Sequence, residues 1–86
     1  MANASDLENL ARQGFAVILQ TRVDGEFQGC EFGRRIPLQN GLVFECQTYH
    51  YHYAYSPEVL ILRNARTGSI RVLIDNDEYT GAVYQR

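Results

Sequence analysis

Apolar residues fall on two different periods along this chain. Near the N-terminus Leu7, Leu10 and Ala11 recur at i, i+3 and i+4, the stripe of a helix, and from Phe15 onward the spacing shortens to the alternation of strands. Ser5-Asp6-Leu7-Glu8 fits a capping box, in which the backbone N–H of Glu8 donates to the Ser5 hydroxyl and that of Ser5 to the Glu8 carboxylate. Asp6 and Glu8 suit the positive end of the helix dipole, and Gly14 suits the left-handed position that closes a helix. The spacing predicts about two helical turns, too few to persist unless they pack on something.

Phe15 to Val23 is rich in β-branched and aromatic residues, Asp24-Gly25 suits a type I′ turn, and Glu26 to Phe32 is expected to return antiparallel beside it. Gly29 and Gly33 interrupt that return and mark a bulge or the close passage of another backbone, while Pro37 keeps the segment around Ile36 off a central strand. Beyond the turn at Asn40-Gly41, the apolar and aromatic stretch from Leu42 to Tyr55 would reach ~46 Å as one strand, against about 30 Å for the diameter of a domain this long. It must bend or break. Glu58 to Arg63 is apolar on both faces, as a central strand is. Asn64 to Gly68 turns into Ser69 to Asp75, and a last turn at Asn76-Asp77 leads to a strand around Tyr79 to Tyr84. The pattern predicts an α+β, mainly β fold. A short N-terminal helix precedes a largely antiparallel sheet of roughly six or seven strands, curled into a small barrel or sandwich.

Length and composition narrow the classes. At 86 residues and 9.8 kDa, residues 1–86 are expected to form a single domain. With 45% hydrophobic and 21% charged residues the chain is too apolar to stay disordered, yet no run is long enough to span a bilayer. All eight basic residues are arginine, so a phosphate-loop lysine, a Schiff base and a pyridoxal-phosphate site are excluded. A net charge of -2 with scattered arginines disfavours nucleic-acid and membrane-surface binding driven by charge. No basic residue precedes Arg12, and the apolar run from Phe15 to Leu19 is shorter than the ~7 to 15 residues of a signal core. The chain as written therefore reads as cytoplasmic, and as extracytoplasmic if a signal peptide has been removed.

Cys30 and Cys46 each fall in a predicted strand, on either side of the Asn40-Gly41 turn and pointing inward, so they are expected within bridging distance, with Cα atoms no more than ~7 Å apart. Two readings stand: a disulfide contributing about 3 kcal/mol, or two buried thiols acting as small hydrophobes. His50 and His52 share a face with Cys46, which makes a zinc set of Cys46, His50 and His52, with Cys30 as a fourth ligand, the alternative function. Against it, Cys46 and His50 lie ~13 Å apart along a straight strand, and no pair has the close spacing of structural zinc sites. The expectation is no metal and no cofactor.

Catalysis is not expected either. Ser5 is a cap, Ser56 precedes a proline, and Ser69 follows a turn glycine without the frame of a nucleophile elbow. A Cys46–His50 dyad would sit beside Glu45, which opposes a thiolate. Asp75, Asp77 and Glu78 lack the glycine and distal glutamate of a calcium loop and read as an acidic turn.

The run Gly29-Cys30-Glu31-Phe32, then Asn40-Gly41-Leu42-Val43-Phe44-Glu45-Cys46, then Tyr49-x-Tyr51-x-Tyr53 and Pro57, resembles a group of small bacterial proteins without an assigned activity. The likeness covers residues 29 to 62. In that group the segment follows a signal peptide, so the resemblance implies an extracytoplasmic protein with its two cysteines paired; this chain departs from the pattern in showing no signal peptide.

Tyr49, Tyr51, Tyr53 and Tyr55 alternate with His50, His52 and Ala54, placing four phenol rings on one face of a regular strand. If the parity of Leu42, Phe44 and Cys46 is kept, the histidines face the core and the tyrosines face out. A bulge near Gln47 to Tyr49 would turn the rings inward to pack the sheet. With the rings out, the row is an aromatic patch suited to a protein partner or to a second copy of the chain. The expected function is thus a non-catalytic interaction or homo-oligomerising module, with at least two of the four rings exposed.

Overall fold

The computed structural model describes residues 3–85, with the backbone alone for residues 3–5. Among these residues helix α1 (Asn3–Arg12) is followed by nine strands: β1 (Phe15–Arg22), β2 (Glu26–Phe27), β3 (Arg35–Pro37), β4 (Leu42–Cys46), β5 (Ala54–Tyr55), β6 (Glu58–Asn64), β7 (Ile70–Ile74), β8 (Asp77–Tyr79) and β9 (Gly81–Gln85). The chain is mainly β and its pairings are antiparallel. The expected single curled sheet is not what forms. Three separate sheets do, with strand orders β1-β6-β7-β8, β3-β4-β9 and β2-β5. The physical reason lies in two breaks. The chain leaves β4 after Cys46, and Thr80 separates β8 from β9, so each of these runs serves two sheets rather than closing one.

The hairpin expected at Asp24-Gly25 is also absent. β1 pairs instead with β6, from Phe15 opposite Asn64 to Arg22 opposite Glu58, with a bulge at Ile18, and the Gly25 N–H donates back to the Val23 carbonyl (3.1 Å). β6 is apolar on both faces, so a strand laid along it buries more surface than a local return through polar Glu26 and Gln28 would. Two other turns form close to where they are expected: β3 and β4 flank Asn40-Gly41, and β6 and β7 flank residues 65–69. The last falls one residue earlier than expected, at Asp75 and Asn76, which both adopt positive φ (54° and 72°), so that Asp77 already opens β8. β3, which carries Pro37, lies at the edge of its sheet as its missing N–H requires.

β6 is central, and its two faces face two cores. Val59 and Ile61, with Val72 and Ile74 of β7, pack against Val23, Phe27, Ile36, Leu38, Phe44 and Tyr79 from the rest of the chain. Leu62 and Leu73 on the opposite face join Phe15 and Leu10, the buried residue of the helical stripe. At about 1.5 to 3 kcal/mol for each fully buried large side chain, this second cluster is what keeps so short a helix folded. The helix begins upstream of the expected cap. Ser5 lies inside it, continued by the good helix former Ala4, and the Ser5 side chain lies outside the described residues. At its other end, Gly14 takes a left-handed φ of 96° and its N–H donates to the Ala11 carbonyl (3.1 Å). The buried Asn64 ties this end to the sheet: its amide donates to the Gln13 carbonyl (2.9 Å), and its oxygen accepts from the N–H groups of Arg66 and Thr67. No helix of the described residues is long and apolar enough to cross a membrane.

Candidate functional site

The long apolar stretch breaks at Cys46. Gln47 still donates its N–H to Thr80 (2.8 Å), but beyond it the chain parts from the three-stranded sheet and runs antiparallel to residues 26–30. Only Ala54–Tyr55 forms a regular strand there, paired with Glu26–Phe27, so the stretch breaks as its length requires and the four tyrosines do not share one regular strand. Upstream, Cys30 and His50 form an isolated bridge, each donating its N–H to the other's carbonyl (2.7 and 3.0 Å). Cys30 is therefore in a loop and not in a strand as expected. From Phe27 to Cys30 is three steps and from Ala54 back to His50 is four, so the tyrosine segment carries one extra residue, a bulge.

Cys30 clasps this segment twice. Its sulfur lies at bonding distance from that of Cys46, with Cα atoms 5.5 Å apart, and its backbone holds His50. Both ends of the turn from Cys46 to His50 are fixed on one residue. Gly29 makes the clasp sterically feasible. A Cβ there would lie 2.2 Å from the His50 carbonyl oxygen and 2.8 Å from the His52 nitrogen, closer than side-chain carbons come, and φ is +89°. The close backbone passage expected at Gly29 is found, whereas Gly33 has open space around it in a turn.

Parity from β4 is kept through the break for the tyrosines, which turn away, while the expected burial of the histidines is met in part: Phe44 and Cys46 are fully buried, but His50 stays exposed and His52 half-buried, each touching the core with one side of its ring. His50 packs edge-on against Tyr79 with ring centroids 4.9 Å apart, and Phe27 does so from another side at 5.5 Å. The His52 Nε2–H donates to the Asp75 carboxylate (2.7 Å), tying the segment to the turn between β7 and β8. Tyr79 is buried, and its hydroxyl has no hydrogen-bond partner among the described residues. Burial, with Asp77 and Asp75 adding negative charge, pushes its phenol up to about 12.

On the outer side, Tyr49, Tyr51, Tyr53 and Tyr55 are 73%, 95%, 62% and 75% exposed, which leaves the rings available to a partner and excludes the inward-packed arrangement. The Tyr53 hydroxyl donates to the Glu26 carboxylate (2.7 Å), and that hydrogen bond together with the carboxylate charge raises its pKa above the ordinary phenol value. Beside the row, a shallow groove of about 520 Å³ runs between Gln28, Glu31 and Arg34 on one bank and Tyr49, His50 and Tyr51 on the other. Arg34 already pairs with Glu31 (3.4 Å) and donates to the Gly29 carbonyl (3.3 Å), so it brings no spare charge to the groove.

The alternative zinc set does not assemble. Cys46 is joined to Cys30 and fully buried, which removes its thiolate from any set with His50 and His52 and from a dyad with His50. Among the described residues, no three His, Cys, Asp or Glu side chains gather in a way that could hold a metal ion. Asp75, read from the sequence only as part of an acidic turn, is the unforeseen member of the site, and Phe27, Tyr79 and Glu26 were likewise not singled out. The parity from Cys46 pointed to the histidines' inward side, but no sequence signal named the residues they meet. No family model matches the chain, and no curated protein and no solved structure matches it significantly. The resemblance carried by the Gly29-Cys30-Glu31-Phe32 run thus rests on those residues alone.

Proposed function

We propose that this protein is a non-catalytic interaction module that self-associates through Tyr49, Tyr51, Tyr53 and Tyr55. The observation that supports the reading is the simultaneous exposure of four rings along a backbone fixed by the cysteine pair, the His50 bridge and the His52–Asp75 hydrogen bond. Large rings held on a fixed backbone lose little conformational freedom on binding, which is why tyrosine is enriched among the residues that dominate interfaces. A cysteine pair is compatible with an oxidising compartment, and we place the protein outside the cytoplasm on that ground.

Light scattering on material eluting from a sizing column tests the reading. The wild-type chain is expected to show a mass above 9.8 kDa that rises with concentration. The double variant Tyr51→Ser, Tyr53→Ser is expected to stay folded and elute as a monomer at every concentration. Unchanged association in that variant would remove the tyrosines from the interface.

A further inference from the structure

We infer that the tyrosine segment pairs by its backbone, as an open strand edge, with the same segment of a second copy running antiparallel. The inference rests on the self-association proposed above and adds its mode. Among the described residues, the peptide groups of Tyr49, Tyr51, His52 and Tyr53 make no hydrogen bond within the chain. His50 directs its N–H and C=O to Cys30. In an extended chain the groups of its neighbours Tyr49 and Tyr51 then point to the opposite edge, where nothing pairs with them. Such an edge is a template for another strand, and folded proteins normally blunt it with charge, proline or a cover. β3 does so with Arg35 and Pro37. The tyrosine segment does not: Cys46 to Pro57 is the longest run in the chain without Asp, Glu, Lys or Arg.

A second copy fits this edge on two counts. Tyrosine at every odd position from 49 to 55 reads the same in both directions, so an antiparallel copy places tyrosine opposite tyrosine in any even register, and aromatic cross-strand pairs are favourable. The uncharged run also opposes itself with no like charge. The area sets the strength. Four rings at the observed exposures present roughly 600 Å² at ~200 Å² per tyrosine, below the ~800 Å² that each partner of a standard stable interface buries. The dimer is accordingly of the weak class, with a dissociation constant on the order of 1 to 100 μM.

The test separates backbone pairing from ring contact. Cys46 permits the full chain to be assembled by ligation of residues 1–45 to residues 46–86, with an N-methyl group on the Tyr51 amide and its ring intact. Because that amide has no partner among the described residues, the N-methylated protein is expected to fold, and sedimentation equilibrium is expected to show dimerisation weakened by at least about tenfold, one blocked bond per copy. Failure of this protein to fold would show the amide to be engaged internally and would overturn the inference. Association unchanged by N-methylation but lost in Tyr51→Ser, Tyr53→Ser would overturn edge pairing while leaving the rings as the interface. A wild-type chain that remains monomeric at millimolar concentration would overturn both, including the case in which it captures a foreign extended peptide instead.

Discussion

The helix-backed sheet and the tyrosine segment satisfy their polar groups in opposite ways. Around the middle of β6 and β7 both faces carry buried side chains, Leu62 and Leu73 under Leu10 of α1 on one side and the main core on the other, and even the buried Asn64 has its donor and acceptor engaged. The segment from Gln47 to Tyr53 is held at points: the sulfur pair just before it, the Gln47 hydrogen bond to Thr80, the His50 bridge, the His52–Asp75 hydrogen bond and the Tyr53 hydroxyl on Glu26. Between those points its outer backbone is unpaired and its rings stand in solvent. Cooperative packing makes the first region stable; discrete ties make the second ordered without burying it. Order without burial is the condition a binding edge needs, since little conformational entropy remains to be lost when a partner arrives.

Substitutions in the two regions should differ most in stability. Leu62→Ala, at a fully buried position between helix and sheet, is expected to cost about 2 to 5 kcal/mol, whereas Tyr51→Ser is expected to fall within about 0.5 kcal/mol of wild type in urea unfolding. A comparable loss at both positions would dissolve the contrast. Replacing Cys30 and Cys46 together by alanine should cost about 3 kcal/mol, since the pair closes a loop with a sequence separation of 16. It should also raise amide exchange at His50, the residue clasped by the same loop, while leaving Leu60 to Leu62 ranked as the slowest.

Tyr79 joins the two regions and gives a smaller, pH-dependent effect. Its phenol pKa is raised in the folded chain to about 12, so its neutral form is favoured by folding. The associated stability is present in full below the unfolded value near 10 and is lost as pH rises from there through about 12, by roughly 2 to 3 kcal/mol. Absorbance titration at 295 nm should show one of the six tyrosines ionising last and together with unfolding. A smaller effect still is expected of Tyr79→Phe. Deleting a buried hydroxyl that lacks a partner should leave stability unchanged or raise it by up to about 1 kcal/mol, and a loss above about 1 kcal/mol would mean that the hydroxyl is bonded.

Local signals were legible in the sequence wherever a single residue type had one physical use. Pro37 at an edge, Gly29 under another backbone, Asn40-Gly41 in a turn and the break after Cys46 all follow from sterics or chain length. The Cys30–Cys46 approach followed from the turn between them, although Cys30 reached it from a loop. The outward face of the tyrosines followed from parity alone. Long-range pairing was not legible. Asp24-Gly25 suits a hairpin, but β1 finds more apolar surface along β6, some forty residues away, and no local pattern reports such a competition. The same holds for His52 and Asp75, 23 residues apart in sequence and brought together only by the path of the chain between sheets.

Hydrogen exchange measured residue by residue at increasing protein concentration tests the contrast between the regions most directly. At low micromolar concentration the amides of Tyr49, Tyr51 and Tyr53 should exchange as in an unstructured peptide, while those of Leu60 to Leu62 stay protected. Raising the concentration should protect the tyrosine amides and leave the others unchanged. Tyrosine amides already protected in the dilute monomer, or unprotected at every concentration, would contradict an edge that is ordered, open and closed by a second copy.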